Sequence, residues 1–338
     1  MTTTPRAVAV FNKLRDPILT PRADVAWANG AVFNPGAWRD PGGPVHLLFR
    51  AIASGYQRIT MEVPEAHGFS DGFDDAYVSS IGYASSEDGI QFQWRDEPFI
   101  NPDSDFDRFG AEDPRISKLD DTFLITYTGL ASPAFGPADG VRIALATTTD
   151  FRTVEKHGVV GPLARDKDAV IFPRRIGSRI AMLHRVVPNI QIVFFDDLER
   201  LIHPPPDFWP RHLARIDDHV IMRPELAWER NKIGAGPTPI ETDEGWLIIY
   251  HGVDDDLVYR AGIALLDLDD PRRVIAKHPD PVLEPELEFE CVGDVNQVVF
   301  PEGAVVIDGV LHVYYGAADK VVGLATAPLA DLLDLLRS

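Results

Sequence analysis

Cysteine is nearly missing from this chain: Cys291 is the only one in 338 residues. A lone thiol can form neither an intramolecular disulfide nor a Cys-built zinc site, so Cys291 reads as a small structural residue. Long apolar runs are also lacking. No stretch approaches the ~18 residues of a membrane-spanning helix, and Met1–Arg6 carries no apolar leader. A cytoplasmic enzyme without a membrane partner is the expectation. Cations are scarce, with 32 Lys and Arg against 52 Asp and Glu and a formal net charge of −20. Phosphate-backbone recognition runs on clustered Lys and Arg, so no nucleic-acid partner is expected. An anionic membrane surface is disfavoured for the same reason. A local basic pocket stays compatible with that balance.

What is present suits a soluble globular protein: 45% hydrophobic and 25% charged residues. There are 28 prolines, 18 Phe, 8 Tyr and 6 Trp, which points to short strands, tight turns and stacking surfaces. A weak repeat runs through the chain. An X-Pro step entering a short strand recurs at Asn34-Pro35, Asp113-Pro114, Phe172-Pro173, Gly236-Pro237 and Phe300-Pro301. Each is followed by a turn with Gly or Asp and a second apolar strand: 45–50, 122–128, 180–184, 245–251 and 310–315. Third strands follow at 80–88, 141–150, 190–196, 261–267 and 321–326. Proline-flanked fourth strands are expected at 98–102, 162–163, 220–224 and 281–285, with a fifth copy displaced to 17–21.

Five copies of four short strands predict an all-β fold, a five-bladed β-propeller spanning 1–338 as a single domain. The 17–21 strand then pairs with the last blade and closes the ring, removing exposed edges. A short helical tail is expected at about 328–338, and surface loops at 54–76 and 201–219. The competing architecture is a β-sandwich or tandem β-domains.

In a propeller the innermost strands converge on one axial funnel. That brings together Asn34, Glu112, Asp113, Lys167, Asp168 and the 232–236 turn, with Arg50, His184, Arg185, Tyr250, His251 and Asp319 from second-strand ends. Carboxylates, cations and aromatics in one funnel suit a sugar. In Phe109-Gly-Ala-Glu-Asp-Pro-Arg-Ile116, a partly desolvated Asp113 can carry a raised pKa and donate a proton to a glycosidic oxygen. Lys167, His184, Arg185 and His251, with Arg142 as a further candidate, form a cationic cluster expected across the funnel. An acidic protein that gathers cations at its axis binds an anion there, and inorganic phosphate is the natural candidate. The Asp254–Asp256 and Asp269-Asp270 runs match no calcium loop and read as solvated turns. Gly234-Ala-Gly236 lacks the βαβ unit of a dinucleotide site. No metal and no other cofactor is expected.

The strings Val32-Phe-Asn-Pro-Gly-Ala37, Gly110-Ala-Glu-Asp-Pro-Arg115, Lys167-Asp-Ala-Val-Ile-Phe-Pro173, Met182-Leu-His-Arg185, Lys232-Ile-Gly-Ala-Gly-Pro237, Ile249-Tyr-His-Gly-Val253 and Tyr314-Tyr-Gly-Ala-Ala-Asp319 together resemble glycoside hydrolase family 130, the mannoside phosphorylases and β-mannosidases. The resemblance implies inverting phosphorolysis of β-mannosides to α-mannose 1-phosphate. It implies that Asp113 is the proton donor, acting through the mannosyl 3-hydroxyl. It puts Asn34, Arg50 and Asp319 on the mannosyl ring with Glu112 beside them, and Lys167, His184 and Tyr250 on phosphate, with Arg185 and His251 adjacent. Family phosphorylases commonly carry an Arg where Ser79-Ser80 stand here, and Arg58 is a candidate substitute. Asp294–Gln297 and Glu302 also depart from the family pattern.

Three functions remain open on the sequence: the phosphorylase, a β-mannosidase on the same scaffold with Glu302 or Glu112 as base, and a sugar-binding propeller without catalysis. Propeller glycosidases of arabinans or fructans need further carboxylates that the strand starts lack. Linkage, acceptor sugar and homo-oligomeric state are not readable.

Overall fold

The computed structural model describes residues 8–63, 68–134 and 140–337. Met1–Arg6, the 64–67 part of the expected 54–76 loop and the last residue of the tail lie outside the described residues. Five antiparallel sheets form the blades of a ring. Blade 1 runs Ala31–Arg39, Val45–Ile52, Ser79–Ser86 and Gln93–Trp94 from axis to rim. Blade 2 runs Ala111–Leu119, Thr122–Leu130, Val141–Thr148 and Glu155–Val159. Blade 3 runs Lys167–Ile171, Ile180–Arg185, Ile190–Phe195 and Val220–Met222. The inner strand of blade 4 is split into Lys232–Ala235 and Ile240–Thr242 by Gly236-Pro237-Thr238-Pro239, before Gly245–Val253, Tyr259–Leu266 and Val274–Lys277. Blade 5 runs Val299–Ile307, Val310–Ala317 and Val321–Pro328, and its outer strand is Asn12–Lys13.

Asn12 and Lys13 pair with Thr326 and Ala325, and Leu19 bridges Val322. The ring is therefore closed by the N-terminal segment, as the repeat requires, though the ladder lies at 12–13 and only one bridge falls within 17–21. The other outer strands show the same displacement. The proline-flanked tracts at 98–102 and 281–285 make isolated bridges, Ile100 to Ile81 and Leu283 to Ala261. The ladders sit a few residues earlier, and only 220–222 coincides with its expectation. Proline lacks the N–H that a ladder needs, so these tracts follow the outer strands rather than forming them.

Five apolar cores hold the ring, each between consecutive blades. Leu47 and Phe49 meet Tyr314 and Leu324 between blades 1 and 5; Leu48 meets Ile116 and Ile125 between blades 1 and 2. Leu124 and Leu145 meet Ile171 and Met182 between blades 2 and 3, Phe172 and Leu183 meet Trp246 and Ile248 between blades 3 and 4, and Ile249 and Ile263 meet Val299 and Val313 between blades 4 and 5. Each blade buries both faces, which explains second strands without an exposed polar face: all nine residues of Gly245–Val253 are buried. The tail is a helix, Leu329–Arg337, that lays Leu332, Leu333 and Leu336 on the blade 4–5 core.

Neither expected surface loop is structureless. After the second strand of blade 1 comes a hairpin, Arg58–Val63 with Gly68–Phe73. Between the third and fourth strands of blade 3 come two short helices, Leu198–Ile202 and Phe208–Ala214. His203–Pro206 between them is irregular, as three consecutive prolines dictate.

Candidate active site

The X-Pro steps do not start the inner strands; several sit inside them, at bulges. The ladder slips between Phe33 and Pro35, Glu112 and Arg115, Lys167 and Val170, and Pro301 and Gly303. The slipped positions include Asn34, Asp113, Asp168 and Glu302. Asn34, Asp113 and Asp168 hold left-handed backbone, with φ 47°, 54° and 57°, a region Asn and Asp tolerate better than other side chains. Bulges that re-aim side chains are typical of functional rims. Here each aims a polar group at the axis. Two glycines make room: a Cβ on Gly234 would meet Asp168 Oδ2 at 2.3 Å, and one on Gly316 would meet Asn34 Oδ1 at 1.8 Å.

Asn34 Nδ2 donates to Asp113 Oδ1 at 2.8 Å, and Arg50 Nη1 reaches the same oxygen at 3.2 Å. Arg50 Nη2 donates to Glu112 Oε1 at 2.6 Å and its Nε to Ser79 Oγ at 2.8 Å. Lys167 Nζ donates to Glu112 Oε2 at 3.0 Å and lies 4.0 Å from Asp113 Oδ2. The acid and the first cation are thus adjacent, not on opposite walls as the sequence suggested. Burial raises the pKa of Asp113, but Arg50, Lys167, Arg115 and the Asn34 hydrogen bond together pull it below its ordinary value. The expected raised pKa is corrected for the unliganded protein: its neighbours are cations.

Deeper on the axis, Arg115 is buried and ties the blades together. Its Nη1 donates to the Asp113 carbonyl at 2.9 Å, and its Nη2 lies 3.3 Å from Asp168 Oδ1 and 2.8 Å from Glu302 Oε1. Glu302 is 1% exposed. Burial, then the repulsion of Asp113 and Asp168, outweighs Arg115 and pushes its carboxyl well above the ordinary range.

On the blade 3 and 4 side, Arg185 Nη1 lies 2.8 Å from Asp168 Oδ2 and donates to His251 Nε2 at 3.1 Å. Arg50, Arg185 and His251 hold the same register, opposite Phe33, Lys167 and Gly234. His251 is buried, and burial, Arg185 and Lys232 drive it well below its usual pKa against the pull of Asp168, so its ring is neutral. Sequence reasoning named the Lys232 turn but not its ammonium. Lys232 stands two residues from Gly234, on the same strand face, with Nζ 5.3 Å from the Tyr259 ring. Burial, Arg185, Lys167 and Arg165 lower its pKa to about 7. Asp319, partly open to solvent, moves the other way, raised to about 7 by burial and the charges of Asp113, Asp294 and Glu112.

Two expected residues face elsewhere. Successive side chains of a strand point to opposite faces, so where Arg185 and His251 enter the well, their neighbours His184 and Tyr250 turn away. Tyr250 is buried against Trp228, and its hydroxyl donates to Glu229 Oε2 at 3.0 Å. His184 lies against Asp166 and His212. Arg142, half-buried, donates to the Val141 carbonyl. Arg58, the candidate for the missing Arg, is on the blade 1 hairpin, where it donates to the Asp294 carbonyl and covers Phe73. Ser79 is buried and serves as the acceptor for Arg50 Nε. Beside Asp319, Tyr56 donates to Asp294, and Lys320 Nζ reaches Tyr56 Oη at 3.0 Å.

Among the described residues, the buried side-chain atoms without a hydrogen-bond partner are Asn34 Oδ1, Asp168 Oδ2, Arg185 Nε, His251 Nδ1 and both Glu302 oxygens. All belong to this well. Asp168 Oδ2 and Glu302 Oε1 nonetheless face Arg185 and Arg115 at 2.8 Å, which leaves Asn34 Oδ1, Arg185 Nε, His251 Nδ1 and Glu302 Oε2 as the unpaired atoms among the described residues. Buried polar atoms are rarely left so, and their gathering along the axis fits a place that takes a polar ligand. No group of three His, Cys, Asp or Glu residues among the described residues could hold a metal.

Fold and site define a five-bladed propeller with a polar axial well, carboxylates on one flank and surplus cations on the other. A family profile described as beta-1,4-mannooligosaccharide phosphorylase, for glycoside hydrolase family 130, matches residues 68–338. A 1,2-beta-oligomannan phosphorylase of Thermoanaerobacter sp. is 40% identical over 320 residues, 94% of this chain and 96% of that protein. A beta-1,2-mannobiose phosphorylase of Listeria innocua is 35% identical over 268 residues, 77% of this chain and 70% of that protein. A solved structure of beta-1,2-mannobiose phosphorylase from Listeria innocua, in complex with beta-1,2-mannobiose, superposes with a TM-score of 0.75 at 27% identity, covering 97% of this chain and 99% of that one. The chain belongs to glycoside hydrolase family 130.

Proposed function

We propose that this protein is an inverting phosphorylase of β-mannosides, releasing α-mannose 1-phosphate, with β-1,2-linked mannobiose or short oligomannan as substrate. The linkage follows the relatives at 35–40% identity, whose names specify β-1,2 substrates. The propeller acts as one domain, in the cytoplasm, with inorganic phosphate as co-substrate. The observation that carries the reading is the gathering of Lys167, Arg185 and Lys232 around one end of the well, where burial first and the neighbouring cations second bring Lys232 to about 7. Like charges held this way are stabilised by a multivalent anion.

In this reading the mannosyl unit lies between Asn34, Arg50 and Asp319, with Asp113 at the glycosidic oxygen. Phosphate sits on Lys167, Arg185 and Lys232, with His251 at their back, and attacks C1 from the face opposite the leaving group. Attack forms the C1–O bond to phosphate as the bond to the leaving oxygen breaks, and a proton from Asp113 reaches that oxygen. The low resting pKa of Asp113 fits this order. A phosphate dianion beside Lys167 cancels part of the field that keeps Asp113 ionised, so anion binding raises its pKa and readies it to carry a proton.

Hydrolysis needs a carboxylate base with water at hand. Glu302 is sealed behind Arg115, and both oxygens of Glu112 are taken by Arg50 and Lys167. Neither supports that role. The test is incubation of β-1,2-mannobiose and β-1,4-mannobiose with and without phosphate. Mannose 1-phosphate is expected from the β-1,2 substrate only when phosphate is present. Equal release of free mannose without phosphate would overturn the proposal.

A further inference from the structure

His184 is fully buried, on the face of its strand turned away from the well. Its Nδ1 lies 2.7 Å from Asp166 Oδ2, and its Nε2 lies 2.9 Å from His212 Nε2. A carboxylate oxygen only accepts, so Nδ1 carries the proton and donates. Across the other contact one ring nitrogen donates to the other, and in the neutral tautomer of His184 it is His212 Nε2–H that donates. His212 is suited to that, since burial and the two neighbouring histidines lower its pKa to about 3 and leave it neutral. His212 sits on the helix Phe208–Ala214 and stacks on His219, ring centroids 4.1 Å apart. Trp209 of the same helix packs edge-on against His184 and donates its indole N–H to the Val160 carbonyl at 2.8 Å.

The other oxygen of Asp166 accepts the backbone N–H of Arg185 at 3.0 Å. Asp166 immediately precedes Lys167, where the inner strand begins, and Lys167 pairs with Arg185 across the ladder. One buried carboxylate therefore ties together the two backbone points from which the blade 3 cations project. The only side chain hydrogen-bonded to it among the described residues is His184.

We propose that His184 is a positioning residue: the chain Asp166–His184–His212 fixes the backbone at Lys167 and Arg185 so that both cations present a preset cradle to an anion. It acts on phosphate through Asp166, not by touching it. This explains how a histidine that resembles a phosphate-site residue of the family can lie behind the strand. The argument rests on the phosphate reading given above. The role has a signature: only the Nδ1 side of the ring matters to the anion site, while the Nε2 side docks the helix.

The amide of asparagine can stand in for imidazole Nδ1 and that of glutamine for Nε2. The experiment compares His184→Asn with His184→Gln by calorimetric titration with inorganic phosphate, and by KM for phosphate and for β-1,2-mannobiose. His184→Gln is expected to weaken phosphate binding about tenfold or more, the scale of misplaced charge-assisted contacts. His184→Asn is expected to stay within about threefold of wild type, with the mannobiose KM unmoved in both. Equal phosphate affinity in the two variants, or a mannobiose KM that rises in step, overturns the proposal. Should either variant fail to fold, 15N spectra of the wild-type imidazoles decide: a proton on Nδ1 of His184 supports the relay, and a proton on Nε2 alone overturns it. A wild type that binds phosphate without using it in turnover would sink the phosphorylase reading and leave this one standing.

Discussion

Where blades 1 and 2 meet the axis, the cations are matched by carboxylates: Arg50 lies on Glu112 and Asp113, and Lys167 bridges toward the same two acids. Where blades 3 and 4 meet it, Asp168 is the only carboxylate among the described residues of those blades' inner strands, and Arg115 and Arg185 already hold it. Lys232 pairs with no carboxylate among the described residues and rests on the Tyr259 ring instead. One flank is internally neutralised and preorganised, as a site for uncharged hydroxyls should be. The other is one anion short. On the reading proposed above, the difference teaches that a strongly acidic protein can make a phosphate site by withholding acids from one place, without adding many cations.

The largest expected effect falls on the neutralised flank. Asp113→Asn keeps the hydrogen-bonding shape but removes the proton carrier, and turnover should fall about two to four orders of magnitude, the usual scale of a general acid. Steady-state assays with saturating phosphate measure it. A loss of only a few fold would remove Asp113 from the chemistry and leave the flank as a binding wall. On the opposite flank, Lys232→Met deletes a charge that has no carboxylate partner. The phosphate KM should rise about tenfold or more, equivalent to losing one charge-assisted hydrogen bond, while the mannobiose KM stays put. If both rise together, the surplus of positive charge is not the anion site.

A smaller effect comes from Asp319. Its pKa is raised from the ordinary carboxylate value of 3.8 to about 7, so the folded protein prefers the protonated form. The sign is then unfavourable at high pH: the penalty is absent below about pH 4, builds through the window up to about 7 and is complete above it. Asp319→Asn removes the penalty. The variant should gain in melting temperature relative to wild type at pH 8 and show no such gain at pH 4. Melting curves at several pH values test this, and a gap that is flat with pH would mean that Asp319 sits in an ordinary environment.

Much of this was readable in the chain. The X-Pro steps record five inner strands because several of them accompany the axial bulge, and a bulge that needs left-handed backbone selects Asn34 and Asp113. Convergence on one axis then follows from the fold. What was not readable is which way the second-strand side chains point. In a propeller both faces of a blade are buried, so Gly245–Val253 shows no polar alternation, and hydropathy cannot distinguish Tyr250 from His251 or His184 from Arg185. The ladder register decides it, and register is a tertiary fact. Lys232 was missed for a related reason: only the register opposite His251 reveals that it shares the axial face of Gly234. The outer strands were displaced because they are short and partly exposed, leaving the prolines beside them as the louder signal.

Tyr250 gives the smallest expected effect and the sharpest check on that boundary. The resemblance to family 130 assigns it to phosphate, whereas its ring lies between Trp228 and the blade 3–4 core and its hydroxyl donates to Glu229. Glu229 also accepts from Lys277 and from two backbone N–H groups, all on Oε1, so the carboxylate stays anchored when the hydroxyl is removed but its Oε2 loses this donor. Tyr250→Phe should cost about 1.5–3 kcal/mol of stability, the value of a hydrogen bond to a charged group, and leave the phosphate KM within about twofold. Denaturant melts and phosphate titration read the two quantities separately. If the phosphate KM instead rose as far as in Lys232→Met with little loss of stability, the second strand of blade 4 would have to turn its other face to the axis when ligand binds, and the contrast between the two flanks would belong to the unliganded protein alone.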